Sequence, residues 1–385
     1  MRGRVRGAAL IGTLLALAVT APGLGAEPIW SSWSASPLRL DEARLTPLER
    51  AALETCGPGE TGLRVTALAL LGRKLRGLPL PELDAVEATQ RAAGEPHPWP
   101  RVWAASAHSL DRESTLQTLA TWLASEPSTR TRRCGAAAGS SADGRSTLVV
   151  VAVDALADLQ PLPTRARTGQ WLSVDARLFH ATGGRVVLMG PSGAARTLPS
   201  WFDGSSIHAR FAAEGPGETM VQVVADLRDG PRPVLEAEVF TDVEPSSPGE
   251  ERPAPGEDAA AGAPDADRLS AMITAARASA GLAPLARDTR LDAVAVAHAQ
   301  QMAATHDLAH DAGDGGPVER LQVAGIPARD LGENVAHAGT IPLVHRALWS
   351  SPSHRANLLG RFTRMGVGVV RDGKGDAWAV EELVR

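Results

Sequence analysis

His306 and His310 stand four residues apart, the spacing at which a helix turns two imidazoles to one face and could hold zinc. A zinc protease of that kind needs a glutamate directly after the first histidine, and Asp307 occupies the place. That chemistry is not expected. Ser140, Ser141 and Ser192 lie in glycine-rich turns, yet none is the centre of a Gly-x-Ser-x-Gly elbow, so no activated serine is offered. Cys56 and Cys134 are too far apart for a Cys-x-x-Cys redox pair. In an oxidising compartment they have one intramolecular partner each, and a structural disulfide closing a long loop is expected. His298 recurs with Leu291, Val294 and Met302 at helical spacing, which puts it on a core-facing stripe as a buried, hydrogen-bonded histidine.

The elements that must position these residues follow from the rest of the 385-residue chain, a length for two or three domains. Arg2, Arg4 and Arg6 precede an apolar run from Ala8 to Ala21, then Pro22 and the small residues Gly23 and Gly25. This reads as a signal peptide over residues 1–26, cut before Ala26 or before Glu27. The apolar run is short for a membrane span, which needs about 20 residues. The mature chain is therefore expected without a transmembrane anchor: periplasmic, cell-surface or secreted. The formal charge of −5 and the lack of any Lys/Arg block argue against nucleic acid and anionic membrane as partners.

A multidomain α+β chain is expected. Residues 40–162 mix helices and strands, with Leu116, Leu119, Ala120 and Leu123 at helical spacing and a β-branched run over Ser146 to Asp154. Residues 164–243 show short alternating strands separated by turns such as Gly183-Gly184 and Asp229-Gly230, the pattern of an immunoglobulin-like β-sandwich. Residues 244–264 are rich in Pro, Gly, Ala, Glu and Asp and read as a disordered linker. Residues 265–385 form a compact block. A helix over Arg268 to Ala280 and another capped by Asp288 come first, and two strands joined at Asp372-Gly373 close it.

Five stretches of that block carry a resemblance. They are Leu291-Asp-Ala-Val-Ala-Val-Ala-His-Ala-Gln-Gln-Met, Asp307-Leu-Ala-His310, Gly332-Glu-Asn-Val-Ala336, Ser351-Pro-Ser-His-Arg-Ala-Asn-Leu-Leu359 and Phe362-Thr-Arg-Met-Gly-Val-Gly-Val369. In this order they resemble the CAP family (cysteine-rich secretory proteins, antigen 5, pathogenesis-related proteins) in its bacterial form. The resemblance implies an α/β/α sandwich with a cleft of histidines and acids. Position by position, it implies that His310 and His354 are the cleft histidines and Glu333 the cleft glutamate. Two neutral imidazoles and a carboxylate suit a divalent metal such as zinc, with water completing the shell. The sequence departs from animal and plant members: Ser350-Ser351-Pro352 follows Trp349 where they carry a second glutamate, and Arg361 precedes Phe362-Thr363 where they carry histidine.

Trp122 to Arg130 runs parallel to Trp349 to Arg355, and Asp143-Gly144 to Asp372-Gly373, with Thr129 where His354 stands. A degenerate second CAP-like copy and coincidence both remain open for residues 40–162. Three functions follow. The chain is an exported, envelope-associated or secreted protein whose His310/Glu333/His354 cleft binds a metal or small ligand. Alternatively it is a hydrolase or protease using that cleft, with a histidine as general base. Or it is a non-enzymatic module that recognises cell wall or lipid. The expected partner is a cell-envelope or extracellular ligand.

Overall fold

The structure is a computed structural model, and it describes residues 32–33, 44–125, 131–245 and 253–385. The signal peptide expected over residues 1–26, Thr129, and residues 246–252 of the expected linker lie outside the described residues.

The N-terminal unit runs α1 (Pro47–Cys56), α2 (Thr61–Leu75), α3 (Leu83–Ala92), β2 (Arg101–Ala107), α4 (Arg112–Ser125), β3 (Thr131–Ser140) and β4 (Ser146–Ala155), after a short β1 (Ser32–Trp33). Its sheet order is β2-β4-β3, all antiparallel. The apolar run of β4 is continuous because both faces are covered. Leu148, Val150 and Ala152 pack on α1 and α4, while Val149, Val151 and Val153 pack on α2 and α3. Cys56 and Cys134 form the disulfide, which ties the end of α1 to β3.

The middle unit comprises β5 (Ala157–Leu159), β6 (Leu162–Pro163), β7 (Arg165–Ala166), β8 (Trp171–Leu178), β9 (Gly183–Met189), β10 (Ala195–Thr197), β11 (Ser200–Phe202), β12 (Ser206–Ala212), β13 (Gly217–Leu227) and β14 (Gly230–Thr241). Two sheets, β10-β9-β13-β14-β7 and β11-β12-β8-β5, enclose one core of Leu, Val, Ala and Phe side chains. Two sequence expectations shift here. Residues 156–162 join this unit and not the N-terminal one, because β5 pairs with β8 and Leu156, Leu159 and Leu162 enter the sandwich core. Gly183-Gly184 opens β9 instead of making a turn. The β13–β9 pairing already begins there, and a Cβ at Gly184 would lie 2.9 Å from the Val224 carbonyl oxygen.

The C-terminal unit runs α5 (Asp265–Ser279), β15 (Ala286–Arg287), α6 (Thr289–Thr305), α7 (Pro317–Val323), β16 (Leu331–Ala338), α8 (Ile341–Ser350), α9 (Pro352–Leu358), β17 (Arg364–Arg371) and β18 (Ala377–Val384). The sheet order is β15-β17-β18-β16, which leaves β16 at an edge. Helices α6 and α7 cover one face, and α5, α8 and α9 the other. Asp288 caps α6 by accepting from the Arg290 N–H. Residues 253–264 are not a free tether. The Glu257 carboxylate pairs with Arg346 of α8 (2.8 and 2.7 Å), and His345 donates to the Pro255 carbonyl (3.0 Å). A few partly buried charge-assisted bonds order a segment whose composition alone would leave it loose.

Candidate functional site

Successive residues of a strand face opposite ways, so the edge strand β16 sends Glu333 to the α6/α7 side and Asn334 to the α9 side. Each faces an acid across the β16–β18 pair: Glu333 opposes Glu382, and Asn334 opposes Glu381. All four are buried.

On the first side, Glu333 Oε1 accepts from His310 Nδ1 at 2.7 Å, and Oε2 is paired with the Arg320 guanidinium from α7. Arg320 also donates to the His310 carbonyl at 2.8 Å, so one guanidinium holds both the glutamate and the backbone of its partner. Burial pushes the Glu333 carboxyl up, but the His310 hydrogen bond and the nearby His310 and Arg320 charges outweigh it and hold it at about 2. Burial and the Glu333 charge push Glu382 well up, against the pull of Arg320. With Nδ1 turned to Glu333, His310 directs Nε2 away from it.

On the other side, His354 lies in the first turn of α9 and is 8% exposed. Asn334 donates to the His354 carbonyl (3.2 Å) and to Glu381 Oε2 (2.9 Å), and accepts from Asn357 (2.9 Å). Burial, aided by the charges of His310 and Arg185, lowers the His354 imidazole to about 3. It is neutral at any ordinary pH, and its Nδ1 is buried without a hydrogen-bond partner. Burial raises Glu381 to about 7.

Three residues expected to share an ion are thus unequal. His310 and Glu333 meet directly, and both Glu333 oxygens are engaged. Among the described residues, the groups whose three ligand atoms all lie within 4.8 Å of one another are Glu60–Glu95–His97 and His337–Asp372–Asp376, and the trio His310–Glu333–His354 is not one of them. The first group is satisfied by its own bonds. His97 donates Nε2–H to the Ala157 carbonyl (3.0 Å) and meets Glu95 with Nδ1, while Arg133 pairs with Glu60 (3.3 Å). His298 is fully buried, with Nδ1 on Asp314 (2.9 Å) and Nε2 on the Ala309 carbonyl (3.0 Å), so it fastens the loop that carries His310. His306 ends α6 in the left-handed conformation (φ 55°) and lies against Trp378.

Sequence reasoning missed Arg320, Glu382 and Asn357. Two adjacent acids, Glu381-Glu382, inside an otherwise apolar strand were a usable signal, since carboxylates are rarely buried without a task. Arg320 left none, because one arginine in a short helix looks like surface.

The model of the CAP, or cysteine-rich secretory protein, family matches residues 271–382, a stretch that holds His310, Glu333 and His354. These residues form a CAP domain. Solved structures similar to the chain include an outer surface protein from Borrelia burgdorferi, at 20% identity and TM-score 0.30, with 31% of this chain and 92% of that chain covered. An extracellular SCP-domain protein from Bacillus anthracis is 15% identical at TM-score 0.29, covering 60% of this chain and 86% of that one. A cysteine-rich secretory protein from Staphylococcus aureus is 15% identical at TM-score 0.28, covering 60% and 84%. No curated protein matches the chain. Among the described residues, no helix is long and apolar enough to cross a membrane.

Proposed function

We propose that this is an exported, envelope-associated CAP protein whose cleft takes a divalent metal such as zinc, or a small polar ligand, through His310 and His354. The observation that supports it is the buried, neutral His354 imidazole with a partnerless Nδ1, close enough to His310 to feel its charge. Glu333 acts behind His310: a carboxylate on one ring nitrogen sets the tautomer and aims the other nitrogen, the usual support of a metal-binding histidine. A bound divalent ion would supply positive charge and Lewis acidity there. A hydrolase reading rests on the same His310–Glu333 pair as base and orienting group, but neither a cysteine nor a serine elbow offers a nucleophile, since Cys56 and Cys134 are bonded to each other.

The N-terminal unit is read as a second, degenerate CAP-like framework and the middle one as an immunoglobulin-like module. On this reading both serve to brace or to recognise.

Zinc titration tests the cleft. His310→Ala and His354→Ala should each weaken binding at least tenfold, about 1.4 kcal/mol. Protons should not take the His354 lone pair until the pH falls towards about 3, where its lowered imidazole titrates, so its share of the binding should persist across the ordinary acidic range. His298→Ala should lower the melting temperature and affect zinc less. Absence of zinc binding in the unmodified chain, together with no binding of small polar ligands, would end the proposal.

A further inference from the structure

The turn between β13 and β14 rests on His310. A Cβ built on Gly230, whose φ is +110°, would lie 2.6 Å from His310 Cβ and 3.3 Å from its ring, so only a glycine backbone fits against this imidazole. On either side of it the middle unit grips the His310 loop. The Asp311 N–H donates to the Asp229 carbonyl (3.1 Å), and Arg232 donates to the Leu308 carbonyl (2.5 Å).

His354 is bracketed in the same way. Gln222 of β13 is fully buried; its amide donates to Ser351 Oγ (2.9 Å) and accepts from the Ser353 N–H (2.9 Å) at the start of α9. Arg355, stacked on Trp349 at 4.1 Å, donates to the Gly193 carbonyl (3.2 Å). A buried glutamine on a sandwich's outer face has no reason to be there in an isolated sandwich. Here its hydrogen-bonding capacity is spent on the neighbouring domain and on Glu236 (2.8 Å).

We infer that the sandwich is a cover docked on the CAP cleft, which limits the docked site to an ion or a small polar molecule. Anything larger, a polypeptide or a glycan chain, enters only when Gln222, Arg232 and the Asp229-Gly230 turn let go. The inference rests on the cleft reading above for its ligand, but not for its geometry.

Diethyl pyrocarbonate, which acylates accessible neutral imidazoles, tests it on the full chain with peptide mass spectrometry. In the wild type, His310 and His354 should react at least tenfold more slowly than the exposed His108 and His180. In Gln222→Ala/Arg232→Ala the rates at His310 and His354 should rise at least fivefold, with the fully buried His298 still protected as proof that the domain is folded. Arg232→Ala alone serves if the double variant unfolds. Wild-type His310 reacting as fast as His180, or unchanged protection in a folded variant, overturns the cover. Zinc release to a chelator should quicken at least fivefold in the same variant. Protected histidines in a chain that binds no zinc would sink the metal reading and leave the cover standing, and zinc binding with freely reactive histidines would do the reverse.

Discussion

In both the N-terminal and C-terminal units a long helix rests on a strand at a glycine. A Cβ at Gly135 of β3 would lie 2.1 Å from the Leu63 carbonyl carbon of α2, and one at Gly366 of β17 would lie 2.3 Å from that of Leu291 in α6. One residue earlier in each strand, the backbone bridges in parallel to the residue before the helix cap: Cys134 with Gly59, Met365 with Arg287. The cap residues then donate to those strand carbonyls, Glu60 to Cys134 and Asp288 to Met365, both at 2.9 Å. The sheet orders correspond too, β3-β4-β2 with β17-β18-β16.

Carrying the register outward from the two glycines sets Val151 opposite Gly135 where Glu382 is opposite Gly366, and then Val102 where Glu333 stands. The next pair is Val150 and Trp103 against Glu381 and Asn334. On the helices, Leu70 takes the place of His298. At these matched positions the framework holds with apolar side chains, so the acids and histidine that the CAP domain buries there are not what builds it; the buried acids of the N-terminal unit, Glu49, Glu60 and Glu95, lie elsewhere. Buried carboxyls cost stability, and polar groups retained at such a cost mark the part of the fold that serves something other than folding. The N-terminal unit instead carries the disulfide.

The largest effect should come from moving one carboxyl between the units. Val151→Glu places an acid among the apolar side chains of α2, α3 and the sheet, and should cost more than about 4 kcal/mol. Glu382→Val removes a carboxyl that burial and the Glu333 charge push well above its ordinary range, and should change stability by less than about 1 kcal/mol or raise it. Denaturant unfolding followed by hydrogen exchange in β4 and β18 separates the two, and equal losses would break the comparison. Opening the disulfide comes next. With the cysteines 78 positions apart in sequence, Cys56→Ser/Cys134→Ser should cost the N-terminal unit about 4 kcal/mol and leave β18 exchange unchanged.

Glu381→Gln sharpens the contrast through pH. The native carboxyl titrates at about 7 against 4.5 in the unfolded chain, so the folded state keeps a proton that the unfolded one releases. Its stability contribution is full below pH 4.5 and lost as pH rises through 7. The glutamine variant, neutral throughout, should match the wild type near pH 4 and exceed it by about 3 kcal/mol above pH 7. At Val150, which matches Glu381, the corresponding Val150→Ala should show no pH dependence, only a small cavity cost of about 2 kcal/mol.

Much of this was legible in the residues. The β-branched run of β4, the amphipathic faces of α4 and α6, the Asp288 cap and the cysteine pair all express local or pairwise physics: periodicity, hydrogen-bond capacity, and a single available thiol partner. The motif spacing that marks residues 271–382 as a CAP domain is likewise a property of the chain written out in order. What the sequence could not determine is what covers what. Gln222 stands among outward-facing residues of a sandwich strand and is fully buried because another domain docks there. Arg320 reaches Glu333 across loop and sheet, and His354 is held neutral by burial that no neighbour in sequence supplies. Desolvation depends on every atom that packs around a group, so the protonation of the cleft and the access to it were decided only by the tertiary structure.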